Sequence, residues 1–162
     1  MPASHEILAV DMASSKSGVA TRFLVISDTH GDELDYSHLD PVDVAIHCVD
    51  LTEESKLAEF RSAISLLRNI QAPLKLDVAG NHDFTLDTAV FRQKIAAINT
   101  PLDDGLVKKA YGDFGEARAL FEAEDAEAAG IVFLDEGTHH FRLANGASLT
   151  LFASPYTPSL SE

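Results

Sequence analysis

Three short runs of continuous apolar residues mark the first half of the chain. They are Phe23-Leu24-Val25-Ile26, closed by Ser27-Asp28; Val42 to Cys48, preceded by Pro41; and Leu74 to Ala79, closed by Gly80-Asn81. Runs of this length with turn residues at the end fit strands buried on both faces. Between the second and third, Leu57, Phe60, Ile64, Leu67 and Ile70 recur at three- and four-residue spacing. That stripe predicts an amphipathic helix, opened by Thr52 or Glu53 and stopped by Pro73. Asp87 to Ile98 predicts another helix, with Val90, Phe91, Ile95 and Ile98 on its inner side, and Gly115 to Ala129 a third whose acidic residues form a solvated face. Ile131 to Leu134 predicts a strand. Thr138 to Leu143 and Ala147 to Ala153 flank Asn145-Gly146, a dipeptide that tolerates positive φ at both positions and so predicts a hairpin. Met1 to Ala20 has no clean period and reads as a loose leader (1–20), followed over 21–162 by what is expected to be the N-terminal portion of a domain. The element order implies an α/β fold with a mixed sheet.

Composition narrows the partners. The chain has 162 residues, 46% apolar and 23% charged, enough for one domain with a real core. Its formal net charge of −14 repels the nucleic-acid backbone, so no polymeric nucleic acid is expected as a partner. An anionic substrate would need a local cation. Cys48 is the only cysteine, which excludes an intramolecular disulfide and a Cys-type zinc site. Neither a signal-peptide pattern nor a membrane-length apolar stretch is present, so a cytoplasmic protein without a membrane partner is expected.

The candidate chemistry falls at one kind of place, the C-terminal tip of an apolar strand. Asp28-Thr29-His30 follows the first strand, Asp50 the second, and Gly80-Asn81-His82-Asp83 the third. Ligands gather outside the carboxyl ends of the strands in open α/β sheets. The donors are carboxylates, imidazole and an amide oxygen, which suit Mn, Fe, Mg or Zn. Each residue alone has a plainer reading, as a turn former, a helix cap or an exposed histidine. Their shared position at strand tips favours a joint site.

Ser27-Asp28-Thr29-His30-Gly31, His47-Cys48-Val49-Asp50-Leu51-Thr52 and Gly80-Asn81-His82-Asp83 resemble the first three signature blocks of the calcineurin-like metallophosphoesterases. Ser154-Pro155-Tyr156-Thr157-Pro158 and the Thr52-Glu53 continuation look closer to the metallophosphoesterase-domain-containing subgroup, and the resemblance covers roughly Thr21 to Ser159. It implies an α-β-β-α sandwich and a hydrolase acting on a small phosphomonoester or phosphodiester through two divalent cations. By that resemblance Asp28 and His30 would bind the first metal, Asp50 would bridge both, and Asn81 would bind the second. His82 would protonate the leaving group or stabilise the transition state, and Asp83 would hold the His82 imidazole. Two cations about 3.5–4 Å apart bind phosphoryl oxygens and activate water. Gly80 would let the chain turn sharply out of its strand.

The chain departs from that family at two points. Val49 stands where the family has glycine before the bridging aspartate, and a β-branched residue at positive φ costs energy. The later histidine blocks do not occur before Glu162. His139 and His140, adjacent on a predicted strand, point to opposite faces and cannot chelate together. His47 and Cys48 likewise face opposite ways, which leaves Cys48 as a small core residue, and His5 and His38 are expected to be exposed. The expectation is therefore weak or no phosphoesterase activity for this stretch alone. The rival reading is a degenerate family member that binds without turnover. An uncovered apolar sheet face is also expected, with self-association through it.

Overall fold

A computed structural model describes residues 8–11, 18–32, 34–36 and 38–156. His5, Thr157 and Pro158 lie outside them. The apolar runs form the strands expected: β2 (Arg22–Ser27), β3 (Val44–Cys48) and β4 (Leu74–Val78). With β5 (Ile131–Phe133) they make four consecutive parallel strands. A fifth strand, β1 (Leu8–Asp11), pairs antiparallel with β2, from Leu8 opposite Val25 to Asp11 opposite Arg22. It lies inside the stretch read from sequence as a loose leader; the open backbone edge of β2 recruits it although its own pattern carries no clear period. The sheet order is β1-β2-β3-β4-β5, in an α/β fold.

Helix α1 (Leu57–Asn69) buries its stripe, with Phe60 and Leu67 fully enclosed. It starts later than Thr52 or Glu53. Ser55 sits at φ 62°, which interrupts helical geometry, and Lys56 is the cap residue, its N–H donating to Glu59 Oε2 at 2.9 Å. Helix α2 (Thr88–Ala96) buries only Phe91, whereas Val90 and Ile98 are exposed. The apolar stripe there misled because Phe91 meets a local aromatic group, Phe84, Tyr111 and Phe114, and the main core is elsewhere.

Helix α3 (Asp104–Tyr111) has no counterpart in the hydrophobic pattern, since it buries none of its residues. Its start is set by Asp103, whose Oδ1 accepts from Gly105 and Leu106 N–H. The single helix expected over Gly115 to Ala129 is two, α4 (Glu116–Phe121) and α5 (Glu124–Ala128). Extended backbone at Ala123 divides them, and Phe121 packs against Phe60 and Phe133 while Ala126 enters the core separately.

The hairpin is β6 (Gly137–Arg142) and β7 (Ser148–Ala153). Only Gly146 of its turn has positive φ, at 90°, and Gly146 N–H donates to Leu143 O. This is a three-residue loop with a left-handed glycine, not the two-residue turn that the dipeptide suggested. The Asn145 amide instead reaches Ala20 O and Thr21 Oγ1, tying the turn to the start of β2.

Two cores result. One side of the sheet packs on α1, α4 and α5, with Leu24, Ile26, Phe60, Leu67 and Phe121 deeply buried. The other packs on the hairpin, where Phe23, Ile46, Val132, Phe141, Leu149 and Leu151 remain half-buried. The second face is thus covered only in part. Among the described residues no helix is long and apolar enough to cross a membrane.

Candidate metal centre

Because β2, β3 and β4 are parallel, their C-terminal ends leave the sheet along one edge. The ladder then continues into the loops. Asp28 N–H donates to Val49 O at 3.1 Å, His30 N–H to Asp50 O at 3.1 Å and Gly31 N–H to Leu51 O at 2.7 Å. The first two signature blocks therefore lie side by side. One ligand-capable atom from each of Asp28, His30 and Asp50 falls within 4.8 Å of the others.

The third block closes on the second from behind. His82 N–H donates to Asp50 Oδ1 at 3.0 Å. A Cβ at position 80 would stand 2.2 Å from Asp50 Oδ1 and 2.5 Å from Asp50 N. Gly80 is required there by the close approach of Asp50, and its φ is not in the left-handed region. Asn81 is exposed on the same turn, at the edge of a cleft of about 580 Å³ also lined by Phe84, Lys94, Phe133 and Tyr156.

Asp83 does something other than hold the His82 ring. Its Oδ2 accepts from Gly80 N–H (2.9 Å) and Leu51 N–H (3.1 Å), and its Oδ1 from Thr52 N–H (3.0 Å) and Thr52 Oγ–H (2.7 Å). Four donors fill both oxygens. The carboxylate thus binds the β3 loop to the β4 loop from inside. Burial raises its pKa while the four hydrogen bonds oppose the rise. With every partner a donor, the ionised form is the one the surroundings accommodate.

The His82 ring finds its partner in Glu53. Nδ1 lies 2.7 Å from Glu53 O, and this contact, aided by the negative charges of Asp50, Glu53 and Asp83, raises the His82 pKa. The ring stands edge-on to His30, centroids 5.0 Å apart. His30 Nδ1 lies 3.0 Å from Glu53 Oε2, and ligand-capable atoms of His30, Glu53 and His82 form a second group within 4.8 Å. Glu53 is the member to which the sequence gave no role at the site; it stood as a helix opener and in the Thr52-Glu53 continuation that the subgroup resemblance rested on.

The loops carry unusual backbone. Asp28 (52°), His30 (48°), Val49 (63°) and Asp50 (52°) all have positive φ. Aspartate and histidine tolerate this region, but for a β-branched valine it is a strained outlier. Such residues gather where surrounding contacts overrule local preference. Val49 is held by its N–H to Val78 O at 3.2 Å and by packing on the hairpin-side core.

A buried pair lies beneath. Thr29 Oγ1 is 2.9 Å from His47 Nε2, and His47 Nδ1 is 3.6 Å from Asp77 Oδ1, beyond hydrogen-bond range. His47 and both carboxyl oxygens of Asp77 are otherwise enclosed, with His47 Nδ1 and the two oxygens lacking partners. Burial lowers the His47 pKa to about 4 and raises that of Asp77 well above its ordinary value. His47 is therefore neutral near neutral pH. Cys48, the neighbour on β3, is half-buried, and burial raises its thiol pKa. His139 and His140 bond on the hairpin, to Asp135 O and Thr150 Oγ1. His38 is exposed, as expected.

No family model matches the chain. It is 25% identical over 141 residues to the UPF0046 protein T07D4.2 of Caenorhabditis elegans, covering 86% of this chain and 33% of that protein. It is 26% identical over 137 residues to the probable rhamnogalacturonate lyase C of Emericella nidulans, covering 85% of this chain and 10% of that protein. The chain therefore spans about a third and a tenth of these relatives' lengths. The two names differ although they match similar shares of this chain, so neither supplies a function.

Proposed function

We propose that this chain forms the cation-holding part of a calcineurin-like phosphoesterase, with a small phosphoester as substrate. The observation that carries the reading is the meeting of Asp28, His30 and Asp50 within 4.8 Å at the tips of parallel strands, with His82 tied to Asp50. The layering supports the same family's sandwich: helices, a central sheet, and the hairpin as the start of a second β layer.

The donor chemistry fits a divalent cation such as Mn, Fe, Mg or Zn. Two carboxylates and an imidazole give a mixed hard and borderline set. One Asp50 oxygen takes the His82 N–H, which leaves the other for a ligand. Asp28, His30 and Asp50 would hold the first cation, and Asp50 with Asn81 would face the second. Bound cations would neutralise phosphoryl charge and acidify water. The raised pKa of His82 keeps a proton on its ring to higher pH than an ordinary histidine, which suits donation to a leaving oxygen. Asp83 acts behind this ring by fixing the loops.

A second reading, binding without turnover, is favoured by strained Val49 beside Asp50 and by a His/Asp/Glu donor set that completes only the first cation's surroundings. The experiment is Mn²⁺ and Zn²⁺ titration by calorimetry, run beside hydrolysis of bis-p-nitrophenyl phosphate, for the chain and for Asp50→Ala. Cation binding that Asp50→Ala abolishes, with turnover, supports the phosphoesterase. Binding without turnover supports the second reading. A chain that binds neither ion would sink both.

A further inference from the structure

We propose that Glu53 is the positioning residue of this centre, holding His30 with its carboxylate and His82 with its main-chain carbonyl. The inference rests on the cation reading of the same site. It starts from Nδ1 of the two rings. His30 Nδ1 bonds to Thr52 O at 3.3 Å and lies 3.0 Å from Glu53 Oε2, so the glutamate's negative charge sits against the same nitrogen. His82 Nδ1 lies 2.7 Å from Glu53 O. A carboxylate and a carbonyl can only accept, so each neutral ring carries its proton on Nδ1. In the neutral ring the lone pair then sits on Nε2, which in His30 is the nitrogen free to take a cation and in His82 the one that would carry the transferable proton once the ring is charged. An imidazole that donates one N–H to a carboxylate or carbonyl while its other nitrogen takes a metal is the usual arrangement of histidine ligands, and the partner fixes the tautomer and raises ligand basicity.

The neighbouring acids have other tasks. Glu54 pairs with Lys56, and Glu59 Oε2 accepts from the Glu54 and Lys56 N–H groups at the head of α1. Glu53 turns toward the site instead. Its place is set one residue earlier, where Thr52 gives both its N–H and its hydroxyl to buried Asp83. The carboxylate is therefore anchored to the rigid side of the site while remaining solvent-accessible itself. A rival role, Glu53 as a direct ligand together with His30 and His82, uses the same cluster and predicts different variants.

The test is Co²⁺ and Mn²⁺ binding by calorimetry to the full chain and to Glu53→Ala, Glu53→Gln and Asp50→Ala, with the His30 ring tautomer read from long-range ¹⁵N NMR of the metal-free proteins. Glu53→Ala is expected to weaken binding about 10–100-fold, with His30 kept in the Nδ1–H tautomer by Thr52 O and the melting temperature of the metal-free chain unchanged. Glu53→Gln, whose oxygen can still accept from Nδ1–H, is expected to recover most of the affinity. Both rings keep their tautomers in both variants, because the Thr52 and Glu53 carbonyls remain. Affinity unchanged in Glu53→Ala, while Asp50→Ala loses binding, overturns this inference and leaves the cation reading standing. Glu53→Gln as weak as Glu53→Ala overturns positioning in favour of direct ligation. A wild-type chain that binds neither ion overturns the cation reading, and this one with it.

Discussion

Asp83 and His82 are neighbours in sequence and opposites in environment. Asp83 is enclosed and meets four donors; the His82 ring is largely open and has one acceptor behind it. The same contrast runs through the whole centre. Behind stand Thr29, His47, Thr52, Asp77 and Asp83, all buried, and in front Asp28, His30, Glu53 and Asn81, exposed or half-exposed. Within the rear set, Thr52 and Asp83 hold the loops together. The front set is left with unfilled coordination, which is what a cation requires. A carboxylate's role in such a site is thus decided by its burial and partners and not by its place in a motif.

Breaking the rear set should cost most. Asp83→Ala strands three backbone N–H groups and the Thr52 hydroxyl. A loss of about 3 kcal/mol or more is expected in urea unfolding. A loss below about 1 kcal/mol would show that the two loops hold without their clamp.

The buried pair should respond with the opposite sign. Asp77→Val removes a carboxyl without hydrogen-bond partners and is expected to stabilise the chain by about 1–3 kcal/mol near neutral pH. Because burial raises its pKa, Asp77 draws stability away as pH rises from about 3.8, where the unfolded chain ionises, toward its higher folded value. His47, lowered from 6.5 to about 4, draws stability away as pH falls through that interval. The two slopes oppose each other where they overlap. The gain from valine should therefore grow with pH from about 3.8 until Asp77 itself ionises in the fold. Chemical denaturation at several pH values reads this directly, and a gain that shrinks with rising pH would contradict it.

Val49→Gly should move stability by less than about 1 kcal/mol. Relief of about 1–2 kcal/mol of left-handed strain is set against lost packing and glycine's greater chain entropy. A larger gain would mean that the hairpin-side core contributes little at this position. The smallest effect is expected at the front. His82→Ala should change stability by no more than about 0.5 kcal/mol while lowering any phosphodiester turnover, and calorimetry beside a chromogenic assay separates the two.

Much of this was legible in the sequence where burial and periodicity coincide. The three strand tips announce themselves because an apolar run stops at a polar residue, and parallel pairing then puts the tips together. Helix α1 was legible by its stripe. Helix α3 was not, since it buries nothing and is held by the Asp103 cap. Strand β1 owes its place to the edge of β2. The positive φ of Val49 was foreseeable only as a cost that a glycine position would impose. Glu53 was invisible as a partner of His30 because the contact spans two loops, and the part that the family resemblance implied for Asp83, holding the His82 ring, is replaced in the geometry by a clamp on two loops.

The clamp also bears on when the site exists. Gly80 N–H, Leu51 N–H and Thr52 N–H end on one carboxylate, so these amides cannot open one at a time without leaving a buried charge short of donors. Their exchange with deuterated solvent should be linked, and tied to the parting of β3 from β4 more than to loop fraying. The proposed cation site then assembles and disassembles as a single unit with the centre of the sheet. A partly folded chain would present scattered carboxylates and imidazoles instead of a weakened version of the same centre.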